Sequence, residues 1–228
     1  MLTRRRGVLA AGAATMLMAA APLAWGASAS RRLVLFRGDS RIGEQTLSVT
    51  RSGDRVDVAV DIEIDVNIIA LPVYSYRLSS RETWNGGALD SLEAECNDNG
   101  TEHFARATRS AGELRVEGSE FTGTVPGNAA TTTYWTPAFL DRPVWISTQD
   151  GRPLDIRATN GGSVDVPTVG GETISATRWR IDGDLDNFEL YYDAAGEWVG
   201  SQFQARGETA RFLLADRGGA LAPLWTGS

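Results

Sequence analysis

The sequence predicts an all-β protein: one strongly curved antiparallel meander sheet, a half-barrel or open barrel, with a short helical or loop cap. Three observations lead there. Hydrophobicity alternates with a period of two over long stretches, as it does when successive side chains point to opposite faces of a sheet. Turn chemistry recurs at Gly38-Asp39, Ser52-Gly53-Asp54, Asn85-Gly86-Gly87, Asn97-Asp98-Asn99-Gly100, Ala111-Gly112, Asp150-Gly151, Gly170-Gly171, Asp193-Ala194-Ala195-Gly196 and Gly207. No long apolar stripe repeats at helical spacing, so short turns joining neighbouring strands are the simplest topology.

In chain order, the first element is an export signal rather than a strand. Residues 1–29 carry the cations Arg4, Arg5 and Arg6, then an uncharged run from Gly7, then Ala27-Ser28-Ala29, the small-x-small pattern that signal peptidase reads. The order Arg5-Arg6-Gly7-Val8-Leu9 fits the twin-arginine route, with an ordinary secretory signal or an N-terminal anchor as alternatives. The run is rich in alanine and glycine and weakly apolar for a spanning helix. Residues 30–228 are then expected to form a single β domain in the periplasm or outside the cell.

The clearest strand starts at Val56. Val56, Val58, Val60, Ile62, Ile64, Val66 and Ile68 fall on one face, and Asp57, Ala59, Asp61, Glu63, Asp65 and Asn67 on the other. A strand this long belongs to a curved sheet or barrel. The next begins at Pro72, with Tyr74, Tyr76, Leu78, Ser80, Glu82 and Trp84 on one face and Arg77, Ser79 and Arg81 on a solvated one. From Pro126 to Asp141 the alternation breaks around Tyr134, Trp135, Pro137 and Phe139, which marks the cap. Beyond it, Trp179 alternates against Arg178 and Arg180, and Phe188, Leu190 and Tyr192 share a face. There is no internal repeat and no domain boundary.

Composition narrows the function classes. Of 228 residues, 199 remain after the signal, enough for one sizeable core. The formal net charge of −7 becomes −10 when the three signal arginines leave, and no basic stripe interrupts it. Such a chain repels nucleic acid and anionic lipid surfaces. Cys96 is the only cysteine, so no intrachain disulfide exists, and no second apolar run in the mature chain is long enough to span a bilayer.

The pair around Ile42-Gly43, the run Pro72-Val73-Tyr74-Ser75-Tyr76 to Glu82-Thr83-Trp84, the turn Asn97-Asp98-Asn99-Gly100 and Leu190-Tyr191-Tyr192-Asp193-Ala194-Ala195-Gly196 together resemble one exported bacterial family, known only as domain of unknown function 6134. The likeness covers most of residues 33–214, and its motifs are turn and core signals. It implies a strongly curved antiparallel sheet similar to the half-barrels of periplasmic lipoprotein carriers, and no activity.

Catalytic and metal motifs are incomplete. His103 is the single histidine and no G-x-S-x-G elbow accompanies it, so it reads as a strand histidine hydrogen-bonded near the sheet edge. Asp182, Asp184, Asp186 and Asp193 approach a calcium-loop spacing, but Asn187 takes the glycine position and the flanks read as strands, so a solvated hairpin turn is the better account. The turn at Glu95 to Gly100 echoes that loop with Arg106 where the closing carboxylate belongs. Neither a metal site nor a cofactor is expected.

The aromatic residues are the remaining constellation. Seven tryptophans, six of them beyond the signal, either fill the core or line a pocket left on an uncovered concave face. The leading expectation is a non-catalytic periplasmic module holding an apolar or amphipathic ligand, an acyl chain or envelope lipid, on Tyr74, Tyr76, Glu82, Trp84, Trp135, Trp179 and Tyr192. Two other classes stay open. One is an enzyme with Glu82 as acid/base, assisted by a tyrosine or His103, acting on an envelope lipid or glycan. The other is an interaction module whose edge strands pair with a partner protein.

Overall fold

The computed structural model describes residues 26–68, 71–205 and 207–225. Eight strands come first: β1 (Ala27–Arg37), β2 (Ser40–Ser52), β3 (Arg55–Ile68), β4 (Leu71–Asn85), β5 (Ala88–Asp98), β6 (Thr101–Ser110), β7 (Glu113–Gly118) and β8 (Thr122–Pro126). A two-residue β9 (Ala130–Thr131), a 3-10 turn (Pro137–Asp141) and β10 (Val144–Ile146) follow. The rest is β11 (Pro153–Pro167), β12 (Thr173–Gly183), β13 (Phe188–Asp193), β14 (Trp198–Ala205), β15 (Glu208–Gly218) and a short α1 (Ala222–Trp225). No helix among the described residues is long and apolar enough to cross a membrane.

All strands belong to one 15-stranded sheet running from β8 back to β1, across to β15, and back again to β9. Every pairing is antiparallel except β9 with β10. The order puts β8 and β9 at opposite edges, yet only residues 127–129 join them. Four steps of extended chain reach no more than roughly 14 Å, so the sheet curls until its edges approach. Two hydrogen bonds mark that approach: Ala129 N to Pro126 O at 2.9 Å, and Glu120 N to Asp150 O at 3.1 Å. Gly118 sits where the two turns touch, and a Cβ there would collide with the Asp150 carbonyl.

The alternation on β3 reads as expected. Val56, Val58, Val60 and Val66 are buried, while the acidic face is solvated. That face is stitched by ion pairs, Asp61 to Arg81 at 3.3 Å and Asp65 to Arg77 at 2.7 Å. Exposed pairs of this kind stabilise by at most about 1 kcal/mol each, so the buried valines carry the strand.

The concave face is not left open. The cap expected at Pro126 to Asp141 forms, with Thr136 Oγ1 accepting from Ala138 N at 3.3 Å to start the 3-10 turn. It extends on through β10 and enters the curve of the sheet as a plug. Trp135, Phe139, Trp145 and Ile146 are all 3% exposed or less. Trp145 Nε1 donates to Phe139 O at 3.0 Å, whereas the buried Trp135 Nε1 has no partner among the described residues.

Two further features seal the molecule. The β11–β12 hairpin bends at Asn160–Ser163, and Val166 and Ala176 pack with Tyr191 and Val199 as a second, smaller core. Val169 N donates to Leu214 O at 3.0 Å, and a Cβ at Gly200 would collide with the Phe212 carbonyl. Elsewhere, buried Arg31 donates to the Glu197 carboxylate, whose other oxygen accepts from Leu221 N at 2.9 Å. The pair ties β1, the β13–β14 turn and the C-terminal segment together.

Residues 1–25 of the expected signal lie outside the described residues. The expected cleavage point after Ala29 does not coincide with the start of the fold. Ala27, Ser28 and Ala29 begin β1, pairing with Arg51, Thr50 and Val49, and Ala29 belongs to the core.

Candidate functional site

Strand β4 organises the interior, because its inward face runs from one end of the curled sheet to the other. Tyr74, Tyr76, Leu78, Ser80, Glu82 and Trp84 follow one another inward-facing, and Arg77, Ser79 and Arg81 face solvent. The plug crosses this ladder and divides the concavity into two clefts with a sealed layer between.

The larger cleft, about 390 Å³, lies beside Tyr76 and Leu78. Ile62 and Ile64 form one wall, and Phe188, Phe203 and Phe212 the opposite one. The phenyl rings stand in a row, with Phe188 to Phe203 centroids 5.8 Å apart and Phe203 to Phe212 6.1 Å. An adjoining cleft of about 250 Å³ shares Ile64 and Phe203 and adds Leu35, Ile42, Tyr74 and Val73. Val73 is 44% exposed, an unusual position for a large apolar side chain.

Polar groups share the lining: Gln45 stands directly across from Ile62, and Thr132, Ser147, Thr148 and the run from Gln149 to Arg152 come from the plug and the chain that follows it. Tyr76 donates its hydroxyl to Gln149 Oε1 at 3.3 Å, and burial pushes its phenol well above the usual tyrosine range, so it stays a neutral donor. Asp150 pairs with Arg152 at 3.0 Å, and Asp184 Oδ2 accepts from Asp155 N at 2.7 Å. Thus an apolar chamber opens beside hydroxyl, amide and charged groups.

The sealed layer holds Glu82, 3% exposed. Its Oε2 accepts from Trp84 Nε1 at 2.7 Å and from Thr133 Oγ1 at 3.4 Å, the latter supplied by the plug. Oε1 has no partner among the described residues. Burial pushes the carboxyl up to about 7, and bonds from Trp84, Thr131 and Thr133 hold it from going higher. Glu82 lines neither the large cleft nor its neighbour.

At the other end lies a cleft of about 260 Å³ between Trp84, Trp135, Phe139 and Trp225. Trp135 meets Trp84 and Trp225 edge-on, at 6.0 and 6.3 Å between centroids. The Arg142 guanidinium lies over Trp84 at 5.3 Å and Phe139 at 5.4 Å.

The seven residues expected on one binding face therefore separate. Tyr74 and Tyr76 line the large cleft system, and Trp84 and Trp135 the opposite cleft. Glu82 lies sealed between them. Tyr192 is core: its hydroxyl donates to Tyr134 O at 2.9 Å, anchoring the plug at a residue whose φ of 57° holds the backbone in the left-handed region. Trp179 packs half-buried on the inner face opposite Leu190 and lines neither cleft. Sequence reasoning missed Phe203 and Phe212 as cleft residues, although Ala210, Phe212 and Leu214 alternate on β15 and signal its inward face.

Outside the clefts, His103 Nδ1 lies 3.3 Å from Ser119 Oγ on β6, a strand position hydrogen-bonded to a neighbouring turn. The aspartate run forms the β12–β13 turn, with Asn187 at φ 58° taking the left-handed position.

Among solved structures, the chain is similar to a beta-barrel-like protein of domain of unknown function DUF1849 from Brucella abortus. Identity is 11%, the TM-score is 0.57, and the match covers 86% of this chain and 98% of that one. At that identity the likeness concerns the fold. No curated protein matches the chain. The family model described as Domain of unknown function (DUF6134) matches residues 34–215, and the chain belongs to that family.

Proposed function

We propose that this is an exported, non-catalytic binding module that holds an apolar or amphipathic molecule, such as an acyl chain or envelope lipid, in the cleft beside Tyr76. One observation carries the reading: a cleft of about 390 Å³ inside the curved sheet has isoleucine and phenylalanine walls, with a cluster of polar groups from Gln149 to Arg152 beside Tyr76. Its size falls within the roughly 300–1,000 Å³ usual for ligand clefts. The apolar walls suit a hydrocarbon body, and Tyr76, Gln149 and Arg152 suit a polar head. The adjoining apolar cleft past Ile64 and Phe203 lengthens the chamber toward Val73.

The test is native mass spectrometry of the protein purified from the periplasm, followed by solvent extraction, with Ile62→Trp as the comparison. Ile62 is partly buried on the cleft wall, and an indole there projects into the space beside Tyr76 and Leu78. A lipid that co-purifies with the unmodified chain and is lost from a folded Ile62→Trp protein supports the reading. A chain recovered without ligand, or one whose ligand survives the substitution, refutes it.

A further inference from the structure

The cleft on the far side of the plug has a different chemistry, and three arginines mark it. Arg51 and Arg142 line it, and Arg109 lies close enough behind for its charge to act on Arg142. None of the three forms an ion pair among the described residues, although the chain as a whole is acidic. Their contacts are backbone carbonyls. Arg142 donates to Gly87 O at 2.7 Å and Ala129 O at 3.3 Å, Arg109 to Leu89 O and Gly127 O at 2.7 Å each. Arg51 donates to Gly53 O at 2.8 Å and Leu224 O at 3.0 Å. Carbonyls fix the orientation of a guanidinium but cancel little of its charge, and each fork has five donors. Burial and the neighbouring Arg109 charge both disfavour the Arg142 cation and push its pKa down. Asp54 stands on the lining as the single carboxylate and pairs with none of them.

We infer that this cleft is a second binding site, taking a small aromatic carboxylate: the ring among Trp84, Trp135 and Trp225, and the carboxylate on the free donors of Arg142 with Arg51 nearby. The walls argue for a ring rather than a bare anion. Val56, Leu224 and the flat faces of the indoles offer little replacement for the hydration shell of inorganic phosphate, whereas an aromatic body recovers its burial on such faces. The arginines argue for charge, because a planar fork matches a carboxylate. This site is independent of the lipid-cleft reading, since the two clefts share no lining residue.

Titration of the full exported chain with 2-naphthoate, followed through the indole N–H signals in proton–nitrogen NMR, tests it. Neutral 2-naphthalenemethanol serves as the matched probe. Saturable shifts of the Trp84, Trp135 and Trp225 signals are expected. Losing one charge-assisted hydrogen bond corresponds to about tenfold or more in affinity, so Arg142→Gln should weaken naphthoate by that factor. The alcohol should bind the unmodified chain weaker by a similar factor, and Ile62→Trp should change neither. If Arg142→Gln does not fold, Arg51→Gln and the acid-to-alcohol ratio in the unmodified chain give the same decision. Equal binding of acid and alcohol, loss of naphthoate binding in Ile62→Trp, or no saturable shift of these indoles would each overturn the assignment.

Discussion

Replacing Glu82 by glutamine should make the protein more stable above neutral pH and leave it little changed in acid. The folded carboxyl titrates near 7 because burial disfavours its charge, while the unfolded chain restores a value near 4.5. Between those values the folded chain keeps a proton that the unfolded chain has released, so stability falls as pH rises through that window. It is fully present below about 4.5 and levels off above about 7. At about 1.4 kcal/mol per pH unit, the loss amounts to about 3 kcal/mol, and little solvent screening reduces it because the side chain is 3% exposed. Glutamine keeps an oxygen for Trp84 Nε1 and Thr133 Oγ1 and carries no charge to desolvate. For a domain of this size the difference corresponds to roughly 6–12 °C in Tm. Thermal melts of both proteins at pH 5, 6, 7 and 8 measure it, and taking the difference between the two cancels every other titrating group. The wild-type curve should drop away from the Glu82→Gln curve between pH 5 and 7. Parallel curves would mean that the carboxyl titrates as it does in water, and the sealed layer between the clefts would be wrong.

Further outcomes follow from the same geometry. Val60→Asp should abolish folding, since it buries an unpaired carboxylate at a site 2% exposed, a cost of several kcal/mol, whereas Asp61→Asn removes only an exposed pair and should shift Tm by no more than a degree or two; the reverse ranking in thermal melts would put the β3 register off by one. Gly118→Ala should cost on the order of 2 kcal/mol, read from urea midpoints, because the added methyl meets the Asp150 carbonyl and Gly151 where the sheet edges approach. Export should fail when Arg5 and Arg6 both become lysine if the twin-arginine receptor is used, as fractionation would reveal. If a cleaved signal exports the chain, the mature form should begin at Ala27 rather than Ser30, because Ala24-Trp25-Gly26 also offers a small-x-small pattern and cleavage there keeps Ala29 in the core; intact-mass measurement decides, and a chain starting at Ser30 with an unchanged melt would refute it.

The faces of β3 and β4 were legible in the sequence because alternation is a local property: a valine two residues from a valine points the same way wherever the strand lies. The break in rhythm at Pro126 located the cap for the same reason. Its depth was not legible. Trp135 and Phe139, in the connection from β9 to β10, are buried because that connection folds into the curve of the sheet, and the curve is decided by fifteen strands together. Glu82 stood out as a carboxylate in an apolar register, but what encloses it is Thr131 and Thr133, some fifty residues away in the chain. Arg142 reads as an ordinary surface cation until it is seen lying over Trp84.

The consequence is a division that one strand makes possible. A residue on β4 meets the larger cleft if it is Tyr76, the plug if it is Glu82, and the arginine-flanked indoles if it is Trp84. A plug shifted along the strand axis would enlarge one cleft at the expense of the other, and Glu82 is a β4 side chain that accepts a hydrogen bond from the plug. Its bonds to Thr133 and Trp84 reach the plug and the far cleft through a single oxygen, so the group that separates the two sites also touches the structure of both. Glu82→Leu, which removes that acceptor and leaves the Trp84 donor unpaired while Thr133 keeps only its bond to Thr131, should therefore destabilise by about 1–3 kcal/mol and should change affinity at both clefts. Glu82→Gln should alter neither. Melts alone cannot separate a structural acceptor from a ligand anchor, but the comparison of the two substitutions at both clefts can: a Glu82→Leu protein that binds normally at both would show that the plug holds its place without this carboxylate.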